Sequence, residues 1–315
     1  MRSPPPVALS TRDGGPGVPI GSGDCARLAD VAARDALLRA RAIPGHGRAM
    51  MPILQTALTF APWVHPATRK LPGVVPVTLA DWLEIDSAYV GQMGLRRQLL
   101  AERAAEVYAL DPVASAAADE LYALVLPLLP GLGFALEGDT ALCPDGQRVA
   151  LDPGVPLMTL GRLLQEDLLI LQSDPFGSGH SEHVLTGGVL CFPSGWRLTE
   201  KFRRPMMRIH APIEIYTSEL GKRVQRLMDG VQPGRGLMRG TASHSDAFLA
   251  DPRSEYDYVH GTARSQFIRV ERQCLIRLPQ TRAVVFSIHT QIVRPEALSD
   301  EQAEALARFP IRVAD

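Results

Sequence analysis

Two apolar runs near the C-terminal end constrain the fold more than any other feature. Residues 267–278 and 283–293 are rich in Val, Ile and Phe, with a short polar stretch, 279–282, between them. Runs of that type joined by a turn predict an antiparallel hairpin. The first run carries charges within it. Side chains alternate along a strand, so Arg269, Glu271, Gln273 and Arg277 share one face and Val270, Cys274, Ile276 and Leu278 the other; Glu271 and Arg272 point opposite ways. A face polar over so many positions is either a solvated sheet surface or the wall of a pocket whose arginines meet carboxylates.

A second stretch, 188–216, supplies the chemistry. Its apolar start, 189–192, reads as a buried strand broken by Pro193, Ser194 and Gly195. Trp196 and the pair Glu200-Lys201 follow, and Lys201, Arg203, Arg204 and Arg208 crowd four cations into eight residues. Beyond them Met207, Ile209, Ala211, Ile213 and Ile215 alternate with Arg208, His210, Pro212, Glu214 and Tyr216, which predicts a strand with Arg208 and His210 on one face. Two readings stay open. The stretch is a half-exposed sheet face with solvated charges, or its histidine, with the aromatic Trp196, the carboxylate and the arginines, serves a metal or an anionic cofactor.

The remaining pattern predicts helices first and an antiparallel sheet with helices after, an α+β arrangement. Residues 1–24, with Pro4–6 and Gly14-Gly15-Pro16-Gly17, read as a flexible leader, and 25–140 as a helical region with helices at 25–42, 88–110 and 113–129. Residues 141–315 then carry a hairpin at 142–151, a helix at 159–171, a helix at 219–231 capped by Thr217-Ser218, a loop at 237–265, the long hairpin, and a last helix opened by the capping-box pattern Ser299-x-x-Gln302. The two regions are expected to form one compact unit.

Several classes drop out. The formal net charge of −1 gives no electrostatic case for nucleic acid. No run approaches the ~18 apolar residues of a membrane span, and no signal peptide opens the chain, so the expected compartment is the cytoplasm. Cys25, Cys143, Cys191 and Cys274 form no CxxC, and Cys191 and Cys274 read as buried thiols. P-loop, Rossmann and nucleophile-elbow patterns are absent. His180 and His183, with His210 beyond, leave a three-histidine zinc site and a hydrolase as a minor alternative.

The motifs Leu190-Cys191-Phe192-Pro193-Ser194-x-Trp196, Glu200-Lys201, Ile209-His210-x-Pro212 and Glu271-Arg272-Gln273-x-Leu275-x-Arg277-Leu278-Pro279 resemble the heme-dependent oxidative N-demethylase alpha-subunit family, also described as dimethylamine monooxygenase-like. Upstream, Asp81-Trp82, Asp86, Tyr89, Arg96, Arg97 and Gln165-Glu166-Asp167 follow in the same order, so the likeness spans about 52–308. The resemblance implies a PAS-like antiparallel sheet holding heme b, oxygen chemistry at the nitrogen of a small amine (N-demethylation or N-oxygenation), dioxygen as co-substrate and a separate flavin and iron–sulfur reductase. The chain carries no cysteine cluster or flavin fingerprint of its own. A heme or small-ligand sensor is the other reading of such a fold.

By the same resemblance His210 is the axial iron ligand, with His260 and His289 as rivals. Glu200 is the proton relay or amine anchor, and Arg226 a partner for dioxygen or a propionate. Arg239, Arg272 and Arg277 are further propionate or pocket cations, beside Trp196 and Arg208 in the cofactor-binding group. The chain departs from the family where Arg239-Gly240-Thr241-Ala242 replaces Arg-x-Asn-Trp, Lys201-Phe202 replaces Lys-Gly, and Pro212-Ile213-Glu214 replaces Pro-Val-Pro. Those changes bear on substrate identity and on any folate-linked product capture more than on heme binding.

Overall fold

In the computed structural model, residues 52–70, 73–179, 182–211, 216–246, 249 and 261–311 are described. The expected leader and first helix, His180 and His260 lie outside them, as do residues 212–215 of the expected strand. The described elements run in this order: α1 (Pro66–Arg69), β1 (Val75–Val77), α2 (Tyr89–Glu102), α3 (Ala104–Val107), β2 (Tyr108–Leu110), α4 (Ser115–Val125), β3 (Ala135–Glu137), β4 (Thr140–Leu142) and β5 (Arg148–Ala150). After them come α5 (Pro156–Leu163), β6 (Asp167–Ser173), β7 (His183–Val189), α6 (Leu198–Lys201), α7 (Met206–Ile209), α8 (Ser218–Gly230), β8 (Gly236–Ser245), β9 (Phe267–Arg277), β10 (Val284–Val293) and α9 (Asp300–Arg308). Short 3-10 turns flank α4 and precede α9.

Seven of the described strands form one antiparallel sheet in the order β1-β8-β9-β10-β6-β7-β2, and β3-β4-β5 form a small second sheet. The predicted hairpin is its centre: β9 and β10 pair continuously from Arg277↔Val284 to Ile268↔Val293. The fold is therefore α+β with a large antiparallel sheet, and Pro52–Asp315 is a compact unit. On one face, Leu168, Ile170, Val189, Cys274, Ile276 and Val285 pack against Met93, Leu100, Leu121, Leu157 and Leu160 from α2, α4 and α5. On the other, Leu169, Leu171, Leu185, Leu275, Phe286 and Ile288 pack against Trp196, Leu198, Met206, Ile209, Val224 and Met228 from the α6–α8 segment. Neither glycine of the β7 pair Gly187-Gly188 has room for a side chain: a Cβ on Gly188 would come within 2.7 Å of Leu169 and 3.3 Å of Leu198. That close approach lets α6 lie flat on the sheet.

The structure corrects several local expectations. Residues 159–171 do not form one helix: α5 stops at Leu163, and Asp167–Ser173 is a central strand between β10 and β7. An apolar run buried on both faces has no period to separate strand from helix, and sheet pairing decides it. The strand expected at 189–192 ends at Val189; the Cys191 and Phe192 amides instead donate to the Asp167 carboxylate at 2.7 and 3.0 Å. The helix expected at 88–110 breaks after Glu102, and its end becomes an edge strand on β7. The strand expected from Met207 is instead the helical turn α7. The amides of Ile209 and His210 return to the carbonyls of Pro205 and Met206 at 2.9 and 3.1 Å. Met206 and Ile209, three apart, then reach the same apolar cluster, a helical and not a strand spacing. The expected loop at 237–265 opens on strand β8, 236–245, whose polar residues after Met238 gave no apolar signal but whose backbone is held by β1 and β9.

Pro112–Leu132, which includes α4, is long and apolar enough to cross a membrane by length and composition, contrary to the expectation that no such run exists. Its Ala114, Ala118, Leu121, Val125 and Leu129 side chains are fully buried in the core, which is how a packing helix earns the same composition.

Candidate functional site

The face under α6–α8 collects the unusual polar groups. Strand pairing places Arg239, Thr241 and Ser243 of β8 beside Gln273, Glu271 and Arg269 of β9, with Thr290 of β10 next to Glu271. This polar face is not solvated: Arg269 and Glu271 are buried. Glu271 is fully engaged, accepting from Arg269 at 2.8 and 3.1 Å on one oxygen and from Gln273 at 2.9 Å on the other. Arg269 also donates to the Phe192 carbonyl at 2.7 Å, which ties the sheet to the chain leading into α6.

His210 caps α7. Its Nδ1 lies 3.0 Å from the Met206 carbonyl four residues back. A carbonyl only accepts, so Nδ1 carries the proton and Nε2 the lone pair. The ring stacks on Tyr216 with centroids 4.2 Å apart and planes 13° from parallel. Burial lowers the His210 pKa, and the cations Lys201 and Arg239 lower it further against the opposing carbonyl bond, so the ring is neutral at pH 7. Neutral imidazole with one nitrogen fixed on a backbone carbonyl and the other open is the form that binds iron or zinc.

Other polar groups of this region are buried, and some of their atoms lack a partner. The Nε of Arg239 is buried and has no hydrogen bond, and burial lowers the pKa of its guanidinium, with Glu271 as the opposing charge. Glu200 has a buried Oε2 with no hydrogen bond, and so has the Tyr216 hydroxyl. Lys201 is nearly buried and sits over the Trp196 ring, 4.8 Å from its centroid. The Arg239 Nε, the Glu200 Oε2 and the Tyr216 hydroxyl are costly to leave unpaired. Of these groups, Arg239, Lys201 and the Tyr216 ring lie close to the His210 imidazole.

Of the residues singled out in the sequence, the structure thus gathers His210, Arg239 and Trp196, and adds Lys201 and Tyr216; Glu200 lies in α6 beside Lys201 in the chain. Lys201 was visible as part of the cation run. Tyr216 lay on the expected strand's polar side, and only the turn at α7 brings its ring onto the histidine. Arg208 and Arg226 are exposed, the latter on the outer side of α8. Arg272 faces away: it donates to the carbonyls of Trp82 (2.7 Å) and Asp81 and pairs with Glu84 at 3.0 Å, joining β9 to the chain before α2. Arg277 donates to the carbonyls of Val231 (3.1 Å), Met228 and Arg282 and thereby fastens the end of α8. Both guanidinium groups are occupied by protein.

The rival histidines separate as cleanly. His289 is fully buried on the opposite face, with Nδ1 3.1 Å from Glu166 and Nε2 3.0 Å from Asp86. Burial pulls its pKa down, but the hydrogen bonds and charges of the two carboxylates overcome it and push the pKa up to about 10. Both nitrogens are then protonated donors with no lone pair for a metal. His183, under α8, accepts on Nδ1 from Gln225 at 2.8 Å, while the Gln225 Oε1 accepts the His183 amide at 3.1 Å. Among the described residues no group of three His, Cys, Asp or Glu side chains could hold a metal ion; a single axial imidazole is a different demand.

The family model described as "Haem-dependent oxidative N-demethylase, alpha subunit-like" matches residues 73–310 of the chain. No curated protein matches it.

Proposed function

The chain belongs to the haem-dependent oxidative N-demethylase alpha-subunit-like family, and on that premise we propose that it is a haem-dependent monooxygenase acting at the nitrogen of a small amine. The family's name points to an oxidative enzyme that depends on haem and that, as an alpha subunit, works with other subunits or a reductase. The finer reading is that haem b would sit on the α6–α8 face of a PAS-like sheet, that His210 would hold its iron, and that a separate flavin and iron–sulfur reductase would supply electrons for dioxygen chemistry. N-demethylation and N-oxygenation are the two outcomes considered.

The observation that carries this reading is the His210 imidazole, neutral, fixed at Nδ1 by the Met206 carbonyl and with no hydrogen bond to Nε2 among the described residues. The residues present fit a haem. The buried, unpartnered Arg239 Nε and the Lys201 ammonium complement propionate charge, and Trp196, Met206 and Ile209 provide apolar surface. When bound, haem supplies the oxygen activation that no side chain here can perform. His210 would hold the iron, its Nδ1 keeping its own proton; Arg239 would anchor carboxylates, and the unpartnered oxygen of Glu200 would meet an ammonium or move a proton.

The test is an absorbance spectrum of protein produced with haem precursor, oxidised, reduced and under carbon monoxide. A Soret band that moves on reduction and again with carbon monoxide, and is lost in His210→Ala, is expected. A colourless protein that also refuses added hemin removes the reading.

A further inference from the structure

Resting on the reading that His210 holds haem, we infer that Tyr216 is a positioning residue, whose ring fixes the plane of the ligating imidazole. The Nδ1–H bond to Met206 sets the tautomer and holds one edge of the ring, but a single bond can pivot, and the Cβ–Cγ torsion itself has only a broad, two-fold preference. Tyr216 closes that freedom. Its ring lies 4.2 Å from the imidazole centroid and 13° from parallel, so a swinging imidazole would drive its edge into the phenol face.

The surroundings hold Tyr216 in turn. It enters α8, whose first turn is capped by the Thr217 hydroxyl accepting the Leu220 amide at 3.3 Å. Gly221 in that turn has no room for a Cβ, which would strike the Met207 sulfur and come within 3.5 Å of the Tyr216 ring. Met207 is tied in addition to Glu182, which accepts its amide at 3.4 Å. Helix α8 and turn α7 therefore clamp the two rings face to face. The Tyr216 hydroxyl is buried without a partner and takes no part in the clamp; the flat ring does the work.

Hemin titration and ferric electron paramagnetic resonance test this on wild type, Tyr216→Phe, Tyr216→Ala and His210→Ala. Phe keeps the flat ring and should match wild type in affinity and line shape. Ala should weaken hemin binding about 2- to 13-fold, the worth of an aromatic pair, and broaden the resonance as imidazole planes scatter. Tyr216→Leu keeps the apolar bulk without the ring and takes the place of Ala if that variant does not fold. Ala and Leu variants equal to wild type, while His210→Ala loses haem, overturn the inference alone. A Phe variant as impaired as Ala overturns it too, because the hydroxyl would then be the active part. Wild type that takes up no hemin, or His210→Ala that binds as wild type, overturns the haem assignment and the inference with it.

Discussion

Asp86→Asn should destabilise this protein more than almost any other isosteric change. Five N–H donors converge on the Asp86 carboxylate. One oxygen accepts from the Ala88 amide and Gln165, both at 2.9 Å, and the other from Gln55 at 2.9 Å, His289 at 3.0 Å and Gln291 at 3.2 Å. The residue is nearly buried, yet its pKa is lowered: burial raises it, and His289, Gln165 and the Ala88 amide together overcome that. Asparagine turns one acceptor into a donor that faces other donors and strips one of two counter-charges from the His289 imidazolium. Breaking a buried pair on one side costs about 3–5 kcal/mol, and for a chain of this size that is a fall in Tm of roughly 6–20 °C. Urea unfolding at pH 7 should show the midpoint falling with little change in slope. The His289 side carries a pH signature. Its folded pKa, about 10, lies above the unfolded value of 6.5, so its stabilisation is complete below pH 6.5 and is lost as pH rises toward 10. The stability difference between wild type and His289→Gln should thus be flat from pH 5 to 6.5 and shrink above it. An Asp86→Asn variant within about 0.5 kcal/mol of wild type, or a difference that grows between pH 6.5 and 10, would refute the argument.

Two further expectations concern residues that the sequence could not rank. Arg272→Met should lower stability by about 3 kcal/mol or more, through loss of the Glu84 pair and two carbonyl bonds, and Arg226→Ala should leave it within about 0.5 kcal/mol; equal effects in denaturant unfolding would show that the two arginines have been assigned to the wrong surroundings. Glu200→Gln should keep the haem spectrum and lose about 10²- to 10⁴-fold in amine turnover with a surrogate reductase, and unchanged turnover would remove Glu200 from the chemistry.

Legibility followed the strength of local signals. The β9–β10 hairpin, the Thr217-capped helix α8 and the Ser299-x-x-Gln302 capping box were readable because turn, cap and period each act over a few residues; in the structure the Ser299 hydroxyl and Gln302 side chain cap each other's backbone as expected. Strand β8 was not readable, since Gly240, Thr241, Ala242 and Ser243 carry little apolar signal and are strand only because β9 lies alongside. The α7 turn was misread for the opposite reason: Met207, Ile209 and Ala211 alternate by coincidence, and packing against the sheet selects the helical spacing of Met206 and Ile209. That one turn decides where His210 points.

The sequence by itself determined the α+β class, the antiparallel hairpin at the sheet's centre, the buried thiols of Cys191 and Cys274 and the family, because these rest on alternation, composition and ordered motifs. Which partners each arginine and each histidine finds was decided by tertiary structure alone. Arg239, Arg272 and Arg277 are alike as residues. Arg272 and Arg277 find carbonyls and a carboxylate in chain segments far away in sequence, and Arg239 faces a buried surface with none for its Nε. His289 meets two carboxylates and His210 one carbonyl. A hydrogen-bond count is a property of neighbours, and only folding supplies them.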